Sequence, residues 1–352
     1  MNSVVYYPYM RIGDPGLIKR ALLMWDRIEV ISPYGLSTGY FDNRDLNEAC
    51  ELVSVPHRPT TDEKAAAHDR IVQLVDAGLP KWFRFTQKSL STYIYKDKFL
   101  PETWGYLMHD RFVTRHETRD KFKSSPAFAF VMMAILAECC AGGVKRTVTD
   151  ERGAYAGLSR YITLACNGVY TKNPKPYEEV LALVPFSSLN VEAIPLKNLI
   201  RLRRMESGPR GEDYRAMRRK FLRRVDDYIQ DITTHPYTPA ELRELRRNFK
   251  QELQDDYAML GRELRLVGRN ALLSKEMGAA VIATFSAALQ AVFSGPIAVG
   301  SIAATRAVGV PAAIHLWDKY RLARREKLQG RITSYVYLAK KGRFEWDVAL
   351  RP

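Results

Sequence analysis

A chain of 352 residues is long enough for two domains that each bury a core. Its 46% hydrophobic and 26% charged composition is an ordinary globular balance, and four cysteines with no C-x-x-C spacing exclude a disulfide scaffold. The net charge of +15 is not ordinary, and it implies attraction to something anionic: nucleic acid, an anionic membrane surface or an acidic protein.

The N-terminus, MNSVVYYPYMRIGD, lacks the basic region and apolar run of a secretory signal, so the expected location is cytoplasmic, with a peripheral inner-membrane position as the variant reading. Residues 3–10 are β-branched and aromatic. Asp14-Pro15 supplies a helix cap and a first-turn proline, residues 17–25 continue as a helix, and residues 27–31 alternate again. This strand-helix-strand unit predicts a parallel crossover. No glycine-rich loop follows the first strand, which leaves a dinucleotide or P-loop site without support.

Thr60 to Glu63 reads as a capping box opening a second helix that Gly78 ends. Residues 82–85 and 91–95 read as strands, and Pro101 opens a short helix through His109. Ser125-Pro126 then starts AFAFVMMAILA, an apolar run too short to span a bilayer and therefore a core helix. The adjacent thiols Cys139 and Cys140 fall in this stretch and read as buried and inert.

Tyr6-Tyr7-Pro8, Ala21-Leu22-Leu23, Trp25-Asp26 with Ile28, Ile31 and Pro33, and then Val148-Thr149-Asp150 after an alanine-rich helix, carry a resemblance. The chain resembles a family of uncharacterised bacterial proteins of unknown function that open with this strand-helix-strand pattern. The resemblance implies a fold and a bacterial source, and no activity.

Beyond Pro195 the pattern becomes helical. Tyr214, Met217, Phe221, Val225, Tyr228 and Ile232 recur at three- and four-residue steps, and after TTHPY a second capping box at Thr238 to Glu241 opens a seam through Leu242, Leu245, Phe249, Leu253, Tyr257, Leu260, Leu264 and Val267. Two such helices joined by a short loop predict an antiparallel hairpin. The expected class is therefore α+β: a mixed α/β domain over residues 1–195 and an all-α domain over 196–352 with a long antiparallel helical hairpin.

Residues 277–305 carry no charge. Val281, Ile282, Phe285, Leu289, Val292 and Phe293 fall on one half of a helix, opposite alanine, serine and Gln290, and Gly295-Pro296 interrupts the run. The segment reads first as a core of packed helices. Its second reading is conditional membrane insertion, with those six residues in contact with lipid, and its third is a constitutive span.

No H-E-x-x-H or H-x-H motif is present; no catalytic, cofactor or metal residues are assigned, although ligands can still converge in space. Asp14, Asp26 and Glu29 stand at the ends of the first unit, where an active site of an α/β fold could sit, with Asp14 read first as the helix cap. The chemistry favours a protein that is not an enzyme. The arginines Arg201, Arg203, Arg204, Arg215, Arg218, Arg219 and Arg223, with Arg324 and Arg325, form the candidate sites for nucleic acid or another anion.

Three functions follow, with an enzyme whose site assembles in space as a fourth reading behind them. The first is a non-catalytic component of a bacterial multi-protein system, such as one used against phage, that meets other protein subunits and an anionic partner through its basic helices. The second is a nucleic-acid-binding protein, and the third is an effector that inserts residues 277–305 into the inner membrane. No small-molecule substrate or cofactor is indicated.

Overall fold

The structure is a computed structural model that describes residues 3–33, 41–86, 90–118, 120–167, 193–209, 211–235, 237–272 and 321–342. The chain divides into two compact units, the first running through Arg203 and the second from Arg204. Among the described residues the sheets, one parallel and one antiparallel, belong to the first unit.

The opening unit folds as its sequence predicts. Strand β1 (Ser3–Tyr6) leads into α1 (Pro15–Met24) and returns as β2 (Arg27–Ile31), paired in parallel with Val5 opposite Glu29. Asp14 caps α1 by accepting the Gly16 N–H at 2.7 Å and also pairs with the buried Arg20 at 2.8 Å. Helix α2 (Arg44–Val53), capped by Asn43, passes directly into β3 (Ser54–His57), which adds in parallel to β2.

Helix α3 (Thr61–Asp76) opens on the expected capping box: Thr60 accepts the Glu63 N–H at 3.2 Å, and Glu63 accepts the Thr60 N–H at 2.7 Å. Residues 82–85 do not form the expected strand. Lys81–Phe83 is a 3-10 turn, because the Phe83 N–H bonds the Pro80 carbonyl at 3.0 Å and the Arg84 N–H bonds the Lys81 carbonyl at 3.1 Å, which uses locally the groups a strand would offer a neighbour. The alternation of Trp82, exposed, with Phe83, buried, is that of a turn with one ring anchored.

Strand β4 (Thr92–Tyr95), helix α4 (Pro101–His109) and strands β5 (Val113–Arg115) and β6 (Lys121–Ser124) follow, and the three strands form an antiparallel sheet of order β4-β6-β5. Helix α5 (Pro126–Ala141) starts at Ser125 and stops at Gly142, whose φ of 60° suits a residue without Cβ. Residues from Phe128 to Ala137 are all buried, so α5 has no solvent face; it packs against α3, α6 (Arg152–Asn167) and strands β1 and β7 (Arg146–Val148). Strand β7 lies in parallel beside β1 and completes the order β3-β2-β1-β7. Val5, Tyr7 and Ile31 join this core, which identifies the sheet face that α5 covers. At about 1.5–3 kcal/mol for each large apolar side chain buried, the face supplies much of the first unit's stability.

In the chain leading to the second unit, α7 (Leu196–Met205) buries Leu199, Ile200 and Leu202. The second unit then forms the predicted hairpin. Helices α8 (Gly211–Thr234) and α9 (Pro239–Leu272) run antiparallel: Tyr228 stacks on Phe249 with ring centroids 4.0 Å apart, and one turn earlier Arg224 pairs with Glu252 at 2.5 Å. Thr238 and Glu241 form the second capping box. Tyr214, Met217, Phe221, Val225 and Tyr228 are all buried, as are Phe249, Leu253 and Leu260. A helical run over 321–330 and helix α10 (Ser334–Lys341) pack onto the hairpin.

Among the described residues no helix is long and apolar enough to cross a membrane. Residues 277–305, with Val281, Ile282, Phe285, Leu289, Val292 and Phe293, lie outside the described residues.

Candidate functional site

The second unit carries a basic groove between α9 and α10. Tyr257, Gly261 and Arg265 stand at four-residue steps on α9, with Ala258 and Arg262 beside them; α10 contributes Tyr337, Lys340 and Lys341, and Arg324 comes from the run 321–330. The small side chains of Ala258 and Gly261 leave a space of about 860 Å³. The rings of Tyr257 and Tyr337 lie 5.2 Å apart at 50°, and the Lys340 ammonium sits 5.3 Å from the Tyr257 ring centre. Burial, and then Tyr337, raises the Tyr257 phenol above its ordinary value. The groove thus holds five cationic side chains, and no carboxylate lines it among the described residues.

Five of the nine arginines singled out from sequence meet carboxylates or backbone carbonyls. Arg203 donates to the carbonyls of Trp25 and Asp26 at 3.1 and 3.2 Å, where α1 ends. Arg215 and Arg219 both pair with Glu212, and Arg215 also donates to the Glu206 carbonyl. Arg325 pairs with Asp213 at 2.6 Å. Arg218 is buried against Glu206. Arg201, Arg204 and Arg223 are exposed, and Arg324 alone of the nine lines the groove. Sequence reading passed over Arg262, Arg265, Lys340 and Lys341. The available signal was Tyr337-x-x-Lys340-Lys341, whose three- and four-residue steps set two cations beside a ring.

A different constellation lies in the first unit. Glu29 shares the sheet face of Ile31, two residues on, and its carboxylate meets Lys145 at 2.7 Å and His57 Nδ1 at 3.3 Å. The other ring nitrogen, His57 Nε2, lies 3.1 Å from Glu63, the same carboxylate that caps α3. Cys140, near the end of α5, points its sulfur into this group, and the ligand atoms of His57, Glu63 and Cys140 all lie within 4.8 Å of one another. Burial would push Glu63 up, but the Thr60 N–H and His57 outweigh it and hold the carboxyl below its ordinary range. Burial pushes the Cys140 thiol well up, and the nearby Glu63 adds to this.

A third feature is a pocket of about 520 Å³ lined by Tyr9, Trp82, Tyr93, Lys98, Met133 and Glu151. The Lys98 amine is buried, touches the Met133 sulfur at 3.7 Å and has its pKa lowered by burial to about 7.

At the crevice between β1 and β7, where the strand order reverses, Asp150 accepts the Gly13 N–H at 3.0 Å and lies 2.8 Å from the Tyr6 hydroxyl. These bonds tie the loop after β1 to the loop after β7. Of the three acidic residues flagged in the opening unit, Asp14 is the cap of α1, Glu29 belongs to the histidine cluster, and the Asp26 carbonyl accepts from Arg203.

In comparisons with known proteins, no family model, no curated protein and no solved structure matches the chain.

Proposed function

We propose that the chain is a non-catalytic interaction protein whose helical unit binds an anionic partner, and that this partner is single-stranded nucleic acid. The observation that carries the reading is the groove of Arg262, Arg265, Arg324, Lys340 and Lys341 around the ring pair Tyr257 and Tyr337. Cations that track a backbone, with aromatic faces on which bases stack, are the two components of sequence-tolerant single-strand binding. Arg262 and Lys341 are exposed and have no carboxylate partner among the described residues, so their charge is available to phosphate. A net charge of +15 adds long-range attraction.

Fluorescence anisotropy with a labelled single-stranded oligonucleotide tests this. Binding should weaken steeply with salt, and the double variant Arg262→Glu, Lys341→Glu should bind at least a hundredfold more weakly at low salt. Its salt slope should fall by about 1.4, the contribution of two phosphate contacts on a single strand. Wild-type protein that ignores both single and double strands at low salt would remove nucleic acid as the partner. Binding to an acidic peptide with the same sensitivity to the double variant would transfer the groove to a protein partner.

A further inference from the structure

Beyond that reading, which concerns the second unit, we infer that the first unit binds one zinc-class divalent ion through His57 Nε2, the Glu63 carboxylate and the Cys140 sulfur. The ligand set is mixed nitrogen, oxygen and sulfur, which suits zinc and its neighbours and disfavours calcium or magnesium. Its atoms are already gathered within 4.8 Å. A tetrahedral site with bonds of about 2.0–2.3 Å has ligand-to-ligand edges of about 3.3–3.8 Å, so side-chain adjustment of about an ångström closes the set.

The surroundings match those of a metal-bound histidine. Such an imidazole donates its second ring N–H to a carboxylate, which fixes the tautomer and aims the other nitrogen at the ion. Glu29 stands on that side of His57, its carboxylate at ion-pair distance from Nδ1, 3.3 Å away, and is itself held by Lys145 at 2.7 Å. The ligands come from rigid elements: His57 ends β3, Glu63 lies in the first turn of α3 and Cys140 in the last turn of α5. The side chains of His57 and Glu63 are 18% and 20% exposed, which gives an ion a way in from solvent. Three protein ligands leave a fourth position for water. On binding, the Cys140 thiol proton and any proton shared between His57 and Glu63 leave to solvent, so that a thiolate, a neutral imidazole and a carboxylate hold the ion.

The alternative is that His57 bridges two carboxylates as a plain ion pair. Cobalt(II) separates the two. The full chain, stripped with a chelator, should take up one equivalent of cobalt and show both thiolate-to-metal charge transfer in the near ultraviolet and the visible absorption of a four-coordinate ion. One equivalent of zinc should abolish both signals. Cys140→Ser should remove the ultraviolet band, whereas Cys139→Ser and Cys166→Ser should keep it. His57→Gln should weaken cobalt binding at least a hundredfold, and Glu29→Gln by about tenfold to a hundredfold, the range for outer partners of a ligand. Cys140→Ser and Glu29→Gln conserve volume, and their melting temperatures, read without metal, separate lost binding from lost fold. No stoichiometric uptake, or uptake that Cys140→Ser and His57→Gln leave unchanged, would overturn the site and return the cluster to a structural ion pair.

Discussion

Arg218 Nε lies 3.0 Å from Glu206 Oε1 with the two side chains only 6% and 8% exposed, and the Tyr335 hydroxyl donates to the same oxygen at 2.5 Å. One carboxylate therefore gathers the chain just after α7, helix α8 and helix α10. A buried pair is weak evidence of net stabilisation, but removing one partner strands the other charge. Arg218→Glu should destabilise the second unit by about 3–5 kcal/mol or prevent its folding. Arg223→Glu, at an exposed position one and a half turns on, should change stability by less than about 0.5 kcal/mol. Urea denaturation of the two variants measures the contrast, and equal effects would contradict the burial of Arg218.

The ring pair in the groove makes a separate prediction from its charges. Base stacking on an aromatic side chain contributes about 1–3 kcal/mol per base. Tyr337→Leu, which keeps bulk but removes the ring, should weaken single-strand binding by about fivefold to a hundred-and-fiftyfold. The salt slope should stay as in the wild type, because no phosphate contact is lost. A changed slope with unchanged low-salt affinity would mean that Tyr337 positions cations and does not meet bases.

The thiols should be unreactive in the folded protein. Burial pushes Cys50 up to about 11 and Cys166 up to about 12, so at pH 8 the reactive thiolate is a small fraction of each. Iodoacetamide labelling followed by mass spectrometry should modify both slowly without denaturant and rapidly in urea. The sign of the linkage also follows. The unfolded thiols ionise near pH 8.5 and the folded ones later, so their contribution is full below about 8.5 and is lost as pH rises through 11 to 12.

What was legible in the sequence was local. The Asp14 cap, the Thr60–Glu63 box and the Ser125-Pro126 start of α5 each depend on residues within four positions of one another, and each stands as read. The α8–α9 hairpin was legible for the same reason: its two apolar seams repeat at helical spacing. Short strands were not. β3, β5, β6 and β7 are three or four residues long, and what makes them strands is a neighbour far along the chain, as when β7 joins β1 across more than a hundred residues. The basic face was legible as charge, but the pairing of each arginine was not, because it depends on which carboxylate the fold brings to it. Glu212 takes two of the predicted cations and Glu206 another. The His57 cluster draws on β2, β3, α3 and α5, and no spacing links Cys140 to Glu29.

Lys98 supplies the last test, through pH. The residue is 3% exposed and its amine has no ion-pair partner among the described residues; Glu151, Tyr9 and Tyr93 line the same pocket. Burial lowers its pKa to about 7, against about 10.4 in an unfolded chain. The unfolded state therefore binds more protons between these values, and stability must rise with pH across that window. Its contribution is complete above about 10.4 and is lost as pH falls through about 7. Lys98→Met keeps the stem and discards the charge, so the variant should exceed the wild type in stability by more at pH 6 than at pH 8.5. The difference between those two gaps should be about 2 kcal/mol, which is about one and a half pH units of linkage at 1.36 kcal/mol each. Taking the difference between proteins cancels the thiols that lie away from Lys98. Urea unfolding at the two pH values reads it directly. A gap that does not change with pH would show that the Lys98 amine is solvated as an ordinary lysine, and that the pocket is open to water around it.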